Sequence, residues 1–135
     1  SAVIGGEGYG GIIYPKLHFG RDALVGLALF LTHLAKSGLK ISELRASYPE
    51  YFISKNKISL EKGIDVDTLL KKVARKYKSQ PFSTVDGLKI MFNKNWVHLR
   101  KSNTEPIIRI YSEAKTEIEA NKIANQIMED IASFL

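Results

Sequence analysis

Two arginines flank a short polar loop in the segment WVHLRKSNTEPIIRIY, residues 96–111. Arg100 ends one predicted strand and Arg109 lies in the next, so a tight loop brings two guanidinium groups near each other. Arg binds two anion oxygens at once, and hydroxyls and turn amides reach the remaining oxygens. This combination of groups favours binding of a phosphate dianion. The alternative is a polar hairpin loop in which the two arginines occur by chance. Three short donors lie between the arginines: Ser102, Asn103 and Thr104.

A second candidate is the glycine-rich stretch GGEGYGG, residues 5–11, which contains a G-x-G-x-x-G spacing. Dinucleotide binding is disfavoured because Glu7 would repel a pyrophosphate and because IIYP follows where a helix should begin. A carboxylate on a loop with few side chains suits the hydroxyls of a sugar instead. The glycine-rich stretch is therefore predicted to let Glu7 approach a sugar, with Tyr9 beside it.

Charge is concentrated in the second part of the chain. The chain has a formal charge of +6, and residues 53–135 carry fifteen of its twenty Lys and Arg residues. A basic surface suits a phosphorylated small molecule, a nucleic acid or a membrane surface. A solvated Lys-rich surface is the plainer interpretation. It is also favoured for KKVARKYK, residues 71–78, the strongest nucleic-acid feature of the sequence.

Cysteine and histidine content excludes several kinds of site. The chain has no Cys, which excludes disulfides and thiolate metal sites and fits a reducing cytoplasm. The most apolar run, residues 23–31, is shorter than the roughly 20 residues that span a bilayer. The histidines have no metal-ligand spacing. His33 is predicted to have a structural role. His98 is predicted to pack on the sheet close to Arg100.

The elements that would position the phosphate loop occupy residues 53–135. We expect a strand near residues 57–60, an amphipathic helix over 65–78, and strands around a hairpin turn at Asp86-Gly87. A turn at 93–95, strands at 96–100 and 107–112, and a helix capped by Thr116 follow. This order predicts an α+β domain: an antiparallel four-stranded sheet with two helices.

Residues 1–52 predict a different kind of unit. A strand tail precedes the glycines, and Asp22 caps a helix over 23–37 that ends at Gly38. This helix is apolar on nearly every side, which indicates burial between layers. Ser42 is predicted to cap a short helix that continues to Ser47. One strand cannot form a sheet alone, so we expect a fragment of an α/β domain, and the chain to be the C-terminal fragment of a longer protein.

RKSNTEPIIR closely resembles the phosphate-binding loop of the α-D-phosphohexomutases, the phosphoglucomutase/phosphomannomutase superfamily. DGLKIMF, IYSEA and GGEGYGG followed by HFGRDA resemble further family segments in the same order. The resemblance implies a four-domain enzyme. Residues 1–52 would be the end of domain 3 with its sugar-recognition loop, and residues 53–135 would be domain 4, whose fold is related to the TATA-binding protein.

The resemblance also implies roles for individual residues. Glu7 matches the glutamate that contacts sugar hydroxyls, whereas Tyr9 stands where the family usually has Ser or Asn. Lys101 departs from the family's small residue or proline, and Arg21, in HFGRDA, is a candidate substrate-facing residue. The non-transferred phosphate of the substrate would be bound by Arg100, Ser102, Asn103, Thr104 and Arg109.

The implied activity is an isomerisation of hexose 1-phosphates and 6-phosphates by phosphotransfer, through a hexose 1,6-bisphosphate. It uses a phosphoserine in domain 1 and Mg²⁺ in domain 2, and neither motif occurs in this chain. The chain would therefore be inactive alone, with a hexose phosphate and the remaining domains as partners and no membrane. Two alternatives are a basic nucleic-acid-binding module, which the resemblance disfavours, and a stand-alone sugar-phosphate-binding module.

Overall fold

The division between the two units of the chain falls between Pro49 and Glu50. The computed structural model describes residues 2–6, 11–61 and 63–135. The predicted boundary, between residues 52 and 53, lies slightly later along the chain. The difference arises because Phe52 already pairs with Ala114 in the sheet of the second unit.

The first unit begins with a small antiparallel ribbon. Strand β1 (Gly5–Gly6) pairs with β2 (Ile12–Ile13), and helix α1 (Ala23–Ser37) follows. Both predicted ends of α1 are confirmed. The Asp22 carboxylate accepts a hydrogen bond of 3.0 Å from the Val25 amide, and Gly38 ends the helix in the left-handed region with φ 68°.

Close contact between α1 and β2 depends on a helical glycine. A Cβ added at Gly26 would lie 2.7 Å from Cγ1 of Ile12, which is closer than two carbon atoms can approach. The absence of a side chain at Gly26 therefore lets the helix lie directly against the strand that follows the glycine-rich stretch.

Helix α1 is not buried, contrary to the prediction. Among the described residues, none of its side chains is buried, and Leu24 is 77% exposed. The reason is that, among the described elements, its main neighbours are the short strand β2 and helix α2 (Ile41–Ser47), which leave its side chains at least partly exposed. The predicted cap of α2 is also wrong, since its N-cap is Lys40, whose amide donates to the Glu43 carboxylate over 2.8 Å.

Within the described ranges, no single helix is long and apolar enough to cross a bilayer. Helices α1 and α2 pass this criterion only when they are taken together, with a bend of 93° between them.

The second unit is built on one antiparallel sheet. Its strands are β3 (Phe52–Ser59), β4 (Phe82–Ser83), β5 (Leu88–Phe92), β6 (Asn95–Lys101) and β7 (Ile107–Ala114). Their order in the sheet is β3-β7-β6-β5-β4. The α+β class is confirmed, but the sheet has five strands instead of four because the two residues of β4 pair with β5. Two helices accompany the sheet, α3 (Val66–Lys76) and α4 (Glu117–Ala132).

Strand β3 is longer than the predicted strand near residues 57–60. All of its residues pair with β7, from Phe52 opposite Ala114 to Ser59 opposite Ile107. Its polar stretch SKNK does not show the hydrophobic alternation that is typical of a strand. Such polar residues are compatible with β3 because it is an edge strand. Lysines are common on edge strands because they discourage pairing with another chain.

Both helices pack on the same face of the sheet. The apolar stripes predicted for α3 and α4 are confirmed, and they form one core with alternate residues of β5, β6 and β7. The intervening residues of β6 and β7, Arg100 and Arg109 among them, point to the opposite face, which no helix of this unit covers. The core contains Leu69, Leu70, Val73, Leu88, Ile90, Val97, Leu99, Ile108, Ile110, Ile127 and Ile131.

A buried carboxylate joins the two helices. Asp130 on α4 is 4% exposed and accepts hydrogen bonds from Nζ of Lys76 at 2.6 Å, from the Tyr77 hydroxyl at 2.5 Å and from Nε2 of Gln126 at 3.3 Å. Burial alone would raise the pKa of Asp130, but these donors favour the anion and hold its pKa below the ordinary value. Burial and the neighbouring carboxylate raise the pKa of Tyr77, so its hydroxyl remains a donor.

We expect Asp130→Asn to lower the free energy of unfolding at pH 7 by roughly 2 kcal/mol, because hydrogen bonds to a charged group are lost in a buried position. The folded-state pKa lies below the ordinary value of 3.8, so the carboxylate stabilises the fold above that pH and loses its effect as the pH falls through the lowered value. The difference in the free energy of unfolding between the variant and the parent should therefore become smaller in acid.

Urea denaturation at pH 7 and at about pH 3 measures both effects. Asp67→Asn is the matched control: Asp67 forms an ion pair but is 61% exposed, so its loss should cost less than about 1 kcal/mol. Equal unfolding midpoints for the parent and Asp130→Asn at pH 7 would contradict the role given to this carboxylate.

The turn before β5 requires a glycine for two reasons. Gly87 has φ 72°, which disfavours a side chain, and an added Cβ would lie only 2.2 Å from the carbonyl oxygen of Leu99. The predicted Asp86-Gly87 turn thereby packs its backbone tightly against β6, next to Arg100.

We expect Gly87→Ala to destabilise the second unit by more than about 2 kcal/mol, since steric overlap adds to backbone strain. Gly63→Ala is the control, because Gly63 also has positive φ but an added Cβ would meet nothing within 4 Å. Its cost should be limited to about 1 kcal/mol of strain. Urea unfolding of both variants tests the prediction, which fails if the two losses are equal.

Candidate functional site

The β6–β7 hairpin places Arg100 and Arg109 directly opposite each other in adjacent strands. Side chains at paired positions of antiparallel strands start roughly 5 Å apart and point to the same face. Both arginines are exposed on the face of the sheet opposite α3 and α4. The hairpin therefore presents two permanently charged guanidinium groups at its loop end.

The loop between the arginines has a defined shape. The Ser102 amide donates to the carbonyl of Ile107 at 3.0 Å, and the Ile107 amide donates to the carbonyl of Glu105 at 2.8 Å. The hydroxyls of Ser102 and Thr104 lie 3.3 Å apart. The carbonyl of Pro106 accepts from the Leu60 amide at 2.8 Å, which fastens the loop to the end of β3.

Hydrogen-bond donors remain for an anion in this loop. Within the described part of the chain, the amides of Asn103 and Glu105 donate to no protein acceptor. The side chains of Asn103 and Thr104 are exposed beside them. The amides and hydroxyls of the loop, with an arginine at each end, form a set of donors that can bind the oxygens of a tetrahedral anion.

Two carboxylates form ion pairs with the cations Arg100 and Lys101. Nε of Arg100 lies 3.1 Å from Oδ1 of Asp86, and Nζ of Lys101 lies 2.7 Å from Oδ2 of Asp67 at the start of α3. All four side chains are more than half exposed, so each pair contributes at most about 1 kcal/mol. A doubly charged anion can therefore exchange with either carboxylate.

The two arginines line different hollows of the surface. Arg100 borders a small cavity of about 170 Å³. Arg109 borders a shallow groove of about 350 Å³ on the other side of the hairpin. The small cavity is also lined by Asp67, Leu70, Asp86, Gly87, Lys101 and Asn103, and the groove by Lys55, Asn56, Lys57, Glu105, Ile107 and Tyr111.

Asp86 is a site residue that sequence reasoning used only as part of a turn. Its carboxylate pairs with Arg100, and its carbonyl oxygen is hydrogen-bonded to Nε2 of His98. The alternation along β6 places His98 and Arg100 on the same face, which was the available signal. Lys55 was missed because β3 was predicted to start too late, and Lys57 was missed because its pairing with Arg109 joins positions far apart in the chain.

The glycine-rich stretch is described only at its edges. Glu7 and Tyr9 lie outside the described residues. Arg21 lies against the end of the stretch, since a Cβ added at Gly11 would be 3.0 Å from its Cδ. Asp22, besides capping α1, lies 3.1 Å from Nε2 of His18. The amide of Val25 and the bond to His18 lower the pKa of Asp22.

The basic helix α3 uses part of its charge structurally. Lys76 binds the buried Asp130, and Nζ of Lys72 reaches the carbonyl of Phe134 at 3.4 Å. The remaining cations of KKVARKYK are exposed. In the described ranges, no three residues of the types His, Cys, Asp and Glu are grouped to hold a metal ion.

Comparisons with known protein families cover both units. Residues 57–130 match the phosphoglucomutase/phosphomannomutase C-terminal domain, and residues 1–51 match the alpha/beta/alpha domain III of the same family. The crystal structure of a phosphoglucomutase/phosphomannomutase family protein from Burkholderia thailandensis matches 98% of this chain with a TM-score of 0.76 and 22% identity, which supports the fold.

Individual relatives agree with these matches. A phosphoglucosamine/phosphogalactosamine mutase of Sulfurisphaera tokodaii is 38% identical over 94% of this chain, and a phosphoglucomutase/phosphomannomutase of Thermococcus kodakarensis is 43% identical over 90%. The chain spans 28% and 27% of the lengths of these two proteins and 28% of the Burkholderia chain. The chain belongs to the phosphoglucomutase/phosphomannomutase family, of which it comprises domain III sequence and the C-terminal domain.

Proposed function

We propose that this chain is the substrate-binding C-terminal part of a phosphohexomutase, which interconverts hexose 1-phosphates and 6-phosphates through a bisphosphorylated sugar. The observation that carries the proposal is the direct pairing of Arg100 with Arg109 around a loop of available amides and hydroxyls. In this family member, that loop would hold the phosphate that is not being transferred.

The phosphate would be held by Arg100 and Arg109 together with Ser102, Asn103 and Thr104. Charge-assisted hydrogen bonds contribute roughly 1.5–3 kcal/mol each, whereas the exposed pair of Arg100 with Asp86 contributes less. Exchange of Asp86 for a phosphate dianion is therefore favourable. Lys101 takes a peripheral part, because its ammonium group is directed to Asp67.

The sugar would be recognised by the loop between β1 and β2. Glu7 accepts hydrogen bonds from two neighbouring hydroxyls in this proposal, and Tyr9 takes the second position of the loop. Arg21, which lies against Gly11, would meet the substrate in this proposal. The relatives differ in the hexose that their names specify, so no single hexose is proposed.

The phosphoserine and Mg²⁺ would belong to the remaining domains of the longer protein. The exposed apolar side chains of α1, such as Leu24 and Leu31, suit burial against the rest of an α/β domain. In this arrangement the chain binds and orients the substrate, and transfer of the phosphoryl group takes place on residues elsewhere. The chain alone would not turn over a hexose phosphate, and turnover by it would refute this part of the proposal.

We expect Arg100→Ala in the full-length protein to weaken hexose-phosphate binding about 10- to 100-fold, since a charge-assisted contact is lost. Isothermal titration of the phosphosugar measures the effect. Lys94→Ala is the matched control, because Lys94 is an exposed cation in the turn at the opposite end of β6. Lys76 is unsuitable because it binds the buried Asp130. Equal affinities for Arg100→Ala and Lys94→Ala would contradict the phosphate assignment.

A nucleic-acid-binding function predicts a different result. Binding of duplex DNA would weaken steeply with salt, because each neutralised phosphate releases counterions. A protein that binds DNA in this way and is indifferent to hexose phosphates would refute the proposed function. We expect the opposite: saturable hexose-phosphate binding and no DNA binding at about 0.15 M salt.

A further inference from the structure

A third cation is aligned with the two arginines of the candidate phosphate site. Lys57 on β3 pairs directly with Arg109 on β7, which in turn pairs with Arg100 on β6. The three side chains therefore form one row across three neighbouring strands. The row lies on the face of the sheet opposite the helices, and all three residues are exposed.

Electrostatics makes this row unfavourable without an anion. Like charges at directly opposed positions of a sheet destabilise the pairing. Arg100 is compensated by Asp86. In the part of the chain that the structure describes, no carboxylate lies within 4 Å of the cationic groups of Lys57 or Arg109. The row is thus better explained by binding of an anion than by stability of the sheet.

The surface next to Lys57 has room for such an anion. Lys57 and Arg109 both line the groove of about 350 Å³, together with Tyr111 and Glu105. Lys57 is held on a strand that pairs with β7 along its whole length, so its position relative to Arg109 is defined.

We propose that Lys57 is a third cation of the phosphate site, binding from β3 an oxygen of the same phosphate-monoester dianion that Arg109 binds. This inference rests on the proposed function, and it extends the site beyond the loop to the edge strand. A phosphate between Lys57 and Arg109 removes the repulsion within the row, while the loop amides and Arg100 bind its remaining oxygens. Lys57 would act as a binding residue and have no part in the chemistry of transfer.

The test is Lys57→Met in the full-length protein, with inorganic phosphate and a hexose monophosphate as ligands in isothermal titration. Both should bind about tenfold more weakly, because one charge-assisted contact is lost. Lys57→Arg should retain most of the affinity, since the charge is kept. Without phosphate, Lys57→Met should be no less stable to urea than the parent, because the side chain is exposed on an edge strand and its charge opposes that of Arg109.

Lys89→Met is the matched control on the same face. Lys89 lies on β5, with Nζ 4.3 Å from the centre of the Trp96 ring, and takes no part in the row. Its loss removes the same charge and should change the affinity by less than about twofold, because Lys89 lies over Trp96 outside the row and salt screens its longer-range effect.

Three results would overturn the proposal. Affinity unchanged in Lys57→Met but weakened in Arg100→Ala removes Lys57 from the site and leaves the proposed function intact. Affinity unchanged in both variants refutes the proposed function as well. Equal losses in Lys57→Met and Lys89→Met that vanish together at high salt would mean that Lys57 contributes only to the general field of the surface.

Discussion

The register of β6 against β7 is the constraint on which the rest of the candidate site depends. This register places Arg100 opposite Arg109, and it also places Leu99 opposite Ile110 on the other face. A shift by one residue would move the arginines into the core and Leu99 into solvent. Burial of Leu99 and Ile110, both 0% exposed, therefore stabilises the arrangement of charges on the open face. The core and the candidate site therefore lie on opposite faces of the same pair of strands, β6 and β7.

Much of this arrangement could be predicted from local sequence. The order of helices and strands after residue 60, the turns at Gly87 and Asn93, and the caps of α1 and α4 depend on residues within a few positions of each other. The β6–β7 hairpin was predicted for the same reason, since it consists of two strands joined by a short loop. Hydrophobic alternation and turn residues encode such features directly.

The remaining features depend on partners that are distant in the chain. Strand β3 was underestimated because its polar residues are compatible with a strand only beside β7, more than fifty positions later. The same distance hid the alignment of Lys57 with Arg109. Asp130 was also missed, because a carboxylate within the polar sequence of α4 shows no sign of burial until Lys76 and Tyr77 of the other helix are placed beside it. The exposure of helix α1 depends on the elements that surround it, so its own apolar composition could not predict that exposure.

Attachment of the loop to both strands and to the end of β3 has a consequence for selectivity. Bonds from Ser102 to Ile107 and from Leu60 to Pro106 make the loop part of the sheet, so it has little freedom to reshape around a ligand. A rigid anion site of this kind would recognise a phosphate group without regard to the carbon that carries it. Under the proposed function, in which substrate and product differ only in that carbon, the same site would hold the sugar in either of two orientations. The hydroxyl contacts would then distinguish one hexose from another.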